Sequence, residues 1–396
     1  MKTIFLPFLH DSHNHISFYS SLSGAADLSG CETLGQAMSV LNGRRKESFI
    51  FATGWKDNYY SLTPELLADL PPAAVCNISL HGFCFNAAAL NSLERKHPGT
   101  GARLRSQKWI DLNLPLVFSL LADYGEVSFI PEYIKGLERK GVWSSEDMSV
   151  SSERACLYIS DNYRDRVKIW AGLGVYPELG KARGRVSGIK LFADGALGAR
   201  SAGFSGKCSA GSRDCVLYSD EEMLINMRRA AGMRKNIAVH AIGDAAVEQV
   251  VSCAEKIKSG GTPMSLRLEH VQFINLGQAL RAKKLGAVLC MQPNFSPDSV
   301  FYSDRLPDHY VKGNNPFRML IDRAGFICGR DLVFGSDGMP AGACEAIRSS
   351  LFPPFESQRL SLEEFKAGYC VKDGSRVFKA EIDEENRSVS VSVPEL

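Results

Sequence analysis

Histidine is scarce in this chain, eight in 396 residues, and four of the eight stand where they could share one task. His13 and His15 are two apart in the segment DSHNH. In an extended strand, residues i and i+2 point to the same side, so both imidazoles can face one point. Two neutral imidazole nitrogens there suit zinc or another borderline divalent metal, with a carboxylate to complete the site. His240 and His270 each end a short apolar run, Lys190 lies inside a third, and Asp337 follows a fourth in Phe334-Gly335-Ser336-Asp337. Singly, none of these is specific. A His-x-His pair arises often by chance, a strand-end histidine is usually a satisfied core or loop residue, and Asp337 could be a turn or cap residue. The order His-x-His, Lys, His, His, Asp along one repeating pattern is far more specific.

That pattern is a series of short β-rich runs bounded by Gly, Pro or Asp. They cover residues 3–9, 141–144, 167–170, 188–192, 236–240, 266–270, 287–291 and 332–334, eight in all. Amphipathic helical stretches, such as 220–233 and 244–257, lie between several of them. Strand and helix alternating eight times predict an α/β chain folded as a (β/α)8 barrel. The candidate residues then fall on strands one, four, five, six and eight. One gap breaks the rhythm. The stretch between the first two runs is far longer than a βα unit needs, so a large insertion, about 20–135, is expected after the first strand. Loops after barrel strands form the active-site face. The expected organisation is a barrel over 1–375 and a short β tail over 376–396, whose residues alternate apolar and polar. No internal repeat or low-complexity segment is visible.

Composition narrows the function. Lys+Arg 46 against Asp+Glu 44 leaves a net charge of +2, with 45% apolar residues. That is an ordinary globular balance, and it disfavours a nucleic-acid or anionic-membrane binder, which would need a basic excess. Eleven cysteines without a CxxC pair read as reduced thiols in a cytoplasmic protein. The start imitates a signal peptide, but its apolar run is short, no small-residue cleavage site follows, and His10-Asp11 ends it. No run of about 18 apolar residues offers a membrane span. The expected partner is a small-molecule substrate, with a homo-oligomer open.

The segments DSHNH, GIKLFADGALGARSA, VHAIGDAAV, LRLEHVQ, NPFRMLIDRAG and FGSDGMP resemble the metal-dependent amidohydrolase superfamily. The resemblance is closest to amidohydrolase family 3, the branch of N-substituted formamide deformylase-like (YtcJ-like) enzymes, and ATGWKDN and LHGFCFNAAAL in the insertion share it. It implies one or two divalent metals, zinc foremost, with His13 and His15 on the more buried one and His240 and His270 on the more exposed. It implies that Lys190 carries a CO2-derived carbamate bridging two metals; the alternative is a plain lysine beside one metal. Asp337 would be the general base and a metal ligand. It would take a proton from the attacking water and return it to the leaving group. Asp194 and Arg200 would orient the site or contact substrate. Trp55 and His81, from the insertion, would form a lid or pocket wall. Glu269 should point away from the barrel axis, and His10, His97 and His309 should be solvated.

The resemblance thins in two places. Members carry a small β-sandwich built from both chain ends; with ten residues before Asp11, its N-terminal half is expected to be missing and the tail vestigial. Gln292-Pro293-Asn294-Phe295, after the seventh run, departs from the branch, which bears on specificity more than on metal binding. The expected activity is hydrolysis of a C–N bond in an amide, formamide or cyclic amide. A heterocycle deaminase and a non-catalytic barrel are the alternatives.

Overall fold

The computed structural model describes residues 1–394 other than 79, 81, 123–126 and 373. Eight strands form one parallel sheet. Numbered β1 to β8 in chain order, they are Leu9–Asn14, Val142–Asp147, Val167–Gly172, Gly188–Phe192, Asn236–Ala241, Leu266–His270, Val288–Met291 and Leu332–Phe334. Each pairs in parallel with the next. The end of β8 comes back to β1, where the Asp337 amide donates to the His13 carbonyl at 2.7 Å. A Cβ on Gly335 would lie 2.4 Å from the His13 nitrogen, so only glycine lets the last strand approach the first. This is the expected α/β barrel.

Parity along the strands sorts the side chains. Ile237, Val239 and Ala241 of β5 and Leu266 and Leu268 of β6 are buried in the main core with helix residues such as Met223, Met227 and Val250. The alternate positions, among them Lys190, Ala238 and Arg267, fill the barrel interior, where Ala238 meets Trp170 and Met148. The helices follow ordinary rules. Asp220–Gly232 begins with a capping box between Ser219 and Glu222 and buries one stripe, Met223, Met227 and Ala230.

Between β1 and β2 lies the expected insertion, with its own sheet of Ala26–Asp27, Ile50–Trp55, Ala73–Asn77 and Phe83–Phe85. Phe51, Ala74, Cys76 and Phe85 pack on one face; Ile50, Ala52, Val75 and Cys84 pack on the other. Burial on both faces accounts for its continuous apolar runs.

Residues 3–9 are not the first barrel strand. Lys2–Pro7 pairs antiparallel with Val377–Asp383, which pairs with Ser388–Ser392. Phe5 is 68% exposed while Leu6 is buried, so this strand has a wet face that a barrel strand, covered on both sides, cannot have. The true β1, Leu-His-Asp-Ser-His-Asn, carries one apolar residue because its inner end is the polar site. The tail is therefore not a lone vestige, and the N-terminal partner strand expected to be missing is present. Phe378, Ala380 and Ile382 seat this small sheet on the main core. All eleven cysteines are free thiols. No helix among the described residues is long and apolar enough to cross a membrane.

Candidate metal centre

A register shift between Asp11 and Asn14 turns the end of β1 into the barrel mouth. There His13 Nδ1 donates to Glu269 Oε2 at 2.6 Å, and its buried Nε2 has no hydrogen-bond partner. His270 Nδ1 donates in the same way to Gln292 Oε1 at 2.8 Å. An acceptor on Nδ1 fixes the tautomer and leaves the Nε2 lone pair for a cation. Asp337 Oδ1 lies 3.5 Å from His13 Nε2 and 3.1 Å from His15 Nε2. His13, His270 and Asp337 offer ligand atoms all within 4.8 Å of one another. The ring of His240 lies 4.4 Å, centroid to centroid, from that of His270.

The electrostatics favour the ligating forms. Burial, then the charge of Lys190, pushes the His13 imidazole down to about 4, and burial lowers His270 too. Both shifts favour the neutral, ligating imidazole. Burial would raise the Asp337 carboxyl, but His13 and His15, with Lys190, outweigh it and hold it at about 2. The Lys190 amine is lowered to about 8 by burial, against the pull of Glu269 and Asp337, and its Nζ has no hydrogen-bond partner. A buried histidine nitrogen with a free lone pair beside a carboxylate fits a cation site, whereas the Lys190 amine, buried and unpartnered, would fit it only once its positive charge is removed.

His270 and Asp337 sit at φ +69° and +57°, and Val271 at +41°. Left-handed backbone is uncommon outside glycine and costs about 1–3 kcal/mol per residue. It is what turns His270 inward, since its parity mates Leu266 and Leu268 face the helices. Arg267 and Glu269 have the other parity, so the expectation that Glu269 points away from the axis is wrong. Glu269 accepts from Arg267 Nε at 2.5 Å, and Arg267 also donates to Glu146 at 2.7 Å and to the Ser12 carbonyl at 2.9 Å. His10 joins this interior network through Ser144 at 2.8 Å and Glu146 at 3.4 Å, so it is not simply solvated. His13, Glu269 and Cys290 also come close enough to hold an ion, but the Arg267 guanidinium already supplies the positive charge there.

Residues 134–345, just over half of the chain, match the model of the Amidohydrolase family. The chain belongs to that family. This amidohydrolase is 26% identical over 377 residues to YtcJ of Bacillus subtilis (strain 168), with 82% of the chain and 69% of that protein covered. It shares its fold with two solved structures described as uncharacterized metal-dependent hydrolases. The one from Pyrococcus furiosus has a TM-score of 0.67 at 19% identity, covering 99% of this chain and 88% of that one. The one from Pyrococcus horikoshii has 0.65 at 23%, covering 88% and 74%.

The amidohydrolase fold thus brings His13, His15, His270 and Asp337 together, with Lys190 in the interior beside them and His240 against His270. His240 Nε2 lies 3.0 Å from the Gly195 carbonyl. The expected substrate contacts fare less well. Asp194 accepts from the amides of Ile242, Gly203 and Gly243 at 2.8–2.9 Å, tying the loop after β4 to the loop after β5 rather than facing substrate. Arg200 is exposed, at φ +56°, and does not line the cavity over the site. Trp55 donates to the Tyr60 carbonyl at 3.0 Å and packs in the insertion's core. His81 lies outside the described residues.

Three residues support the site in roles not expected of them. Asp11 opens the same DSHNH segment and accepts from the Ser336 amide (2.8 Å) and hydroxyl (2.5 Å), Asn14 Nδ2 (2.9 Å) and the His13 amide (3.2 Å). It staples the Asp337 turn to β1. Glu269 and Gln292 orient the two histidines. The signal for Glu269 was there, because opposite charges at i and i+2 in a barrel strand share one face. Over the site opens a cavity of about 340 Å³, walled by His240, His270 and Asp337, by Phe295 and Tyr302, and by Ile78 of the insertion.

Proposed function

We propose that this amidohydrolase is a metal-dependent hydrolase of a C–N bond in an amide, formamide or cyclic amide. What carries the reading is the pair of histidines whose Nδ1 atoms are held by Glu269 and Gln292, with the Asp337 carboxylate between His13 and His15. His13, His15, His240, His270 and Asp337 would hold the ion or ions. When bound, a divalent cation such as zinc supplies Lewis acidity, which polarises a carbonyl and acidifies water. Asp337, ionised at neutral pH, takes the proton of the attacking water and returns it to the departing nitrogen. His15, 3.1 Å away, keeps that carboxylate aimed. Lys190, with burial favouring its neutral amine, adds to CO2 with loss of a proton. The carbamate would replace a buried cation by an anion, so that Lys190 would join the residues that hold the ion or ions.

The test is metal analysis of protein supplied with zinc and bicarbonate, followed by an amide panel with release of amine and ammonia measured separately. Tightly held metal and amine release are expected. Protein that holds no metal under those conditions would sink the reading, and ammonia released from amino-substituted heterocycles added to the panel, with every amide left intact, would make the enzyme a deaminase.

A further inference from the structure

The wall of the cavity also holds a carboxylate that the hydrolytic chemistry does not use. Asp298 lines the same 340 Å³ space as His270 and Asp337. Its neighbours there are largely apolar: Phe295, Phe301, Tyr302, Met339 and Ile78. One long hydrogen bond reaches it, from Gln272 Nε2 at 3.4 Å, and no ion pair with it is found among the described residues. By contrast, Glu269 is engaged by Arg267 and His13, Glu146 by Arg267 and Trp170, and Asp11 by Ser336 and Asn14. A carboxylate in an apolar, aromatic pocket is costly unless something pairs with it. Burial accordingly pushes its carboxyl up to about 7.

The backbone fixes Asp298 relative to the reacting end. Phe295, three residues before it, lies parallel to the His270 ring at 6.1 Å, and Gln272, its hydrogen-bond partner, is two residues beyond His270. Carboxylate and aromatic rings facing one small space are the groups that recognise an ammonium, by charge-assisted hydrogen bonds and by the ring quadrupole.

We propose that Asp298 is a specificity-determining residue, and that the substrate is a small amide bearing a cationic amino group, which Asp298 binds beside Phe295 and Tyr302 while the scissile carbonyl lies at His270 and Asp337. The second half rests on the hydrolase reading; the first does not.

A binding test keeps the two apart. Benzylamine and its neutral isostere benzyl alcohol are titrated by ligand-observed NMR at pH 7.5 against the metal-loaded wild type, Asp298→Asn and Asp298→Ser. Benzylamine is expected to bind the wild type at least tenfold tighter than benzyl alcohol. Both substitutions should erase that preference and change benzyl alcohol binding less than twofold; the serine variant keeps a small polar residue at the start of its short helix. Equal binding of the two probes to the wild type would overturn the proposal. So would a preference that survives both substitutions, which would place the amine on the metal. Loss of all amide turnover with the preference intact would instead count against the hydrolase reading alone.

Discussion

Glu269→Gln isolates the support of the metal centre from the centre itself. Glu269 accepts two bonds, one from Arg267 at 2.5 Å and one from His13 Nδ1 at 2.6 Å. Glutamine keeps the shape and one oxygen but puts an NH2 in place of the other. If the NH2 faces Arg267, two donors meet in a buried site. If it faces His13, the imidazole must accept at Nδ1, and its proton moves to Nε2 and covers the lone pair a metal needs. Either way something is lost. A hydrogen bond to a charged group contributes about 1.5–3 kcal/mol net. Stripping a buried charge of its only partner costs about 3–5 kcal/mol, but Arg267 keeps Glu146 at 2.7 Å, so about 2 kcal/mol of stability is expected to go. Removing an outer partner of a ligand histidine lowers metal affinity about 10–100-fold, or about 1.4–2.7 kcal/mol. Chelator competition reads the affinity, and urea unfolding reads the stability with the slope as a check on two-state behaviour. Zinc affinity within twofold of wild type, with an unchanged urea midpoint, would refute the argument that Glu269 sets the His13 tautomer.

Other perturbations separate other roles. Asp337→Asn should keep metal while turnover falls about 10²–10⁴-fold, the usual weight of a positioned base; activity within threefold of wild type would remove Asp337 from that role. Asp11→Ala leaves the Ser336 amide and hydroxyl and the Asn14 amide unanswered, and should cost about 2–3 kcal/mol in urea unfolding; a loss under about 0.5 kcal/mol would show that the staple between β1 and the Asp337 turn is not needed. Asp298 links pH to stability. Its carboxyl stands at about 7 in the folded protein against an ordinary 3.8, so its stabilisation is complete below about pH 4 and lost as pH climbs to about 7. Asp298→Asn should therefore raise the unfolding midpoint most at pH 8 and less at pH 5. A larger gain at pH 5 would contradict the sign.

How far the sequence could be read depended on which signal each part leaves. Seven of the eight barrel strands were legible as short β-rich runs, since each carries apolar residues on the face that the helices bury. β1 did not, since five of its six residues are polar; the apolar run beside it, which belongs to a sheet of the chain ends, drew attention instead. His13, His15, His270 and Asp337 were legible as strand-end residues. Glu269 was misread because period-2 parity assumes the strand continues through His270, and the left-handed turn there breaks it. Asp194 looked functional by its place in a loop, but the loop's own amides needed it. Asp298 left no trace at all. Its meaning lies in the apolar residues that a fold, and not a spacing, sets around it.

The pairing of Lys2–Pro7 with Val377–Asp383 bears on when the protein becomes whole. A ribosome makes the first of these strands before the barrel and the second after it, and Asp11 waits 325 residues for Ser336. Contacts so distant in sequence form late and slowly. The nascent chain therefore carries β1, with His13 and His15, unsealed until β8 and the turn after it have been made. Until the closing hairpin emerges, that edge is what chaperones or other chains would meet.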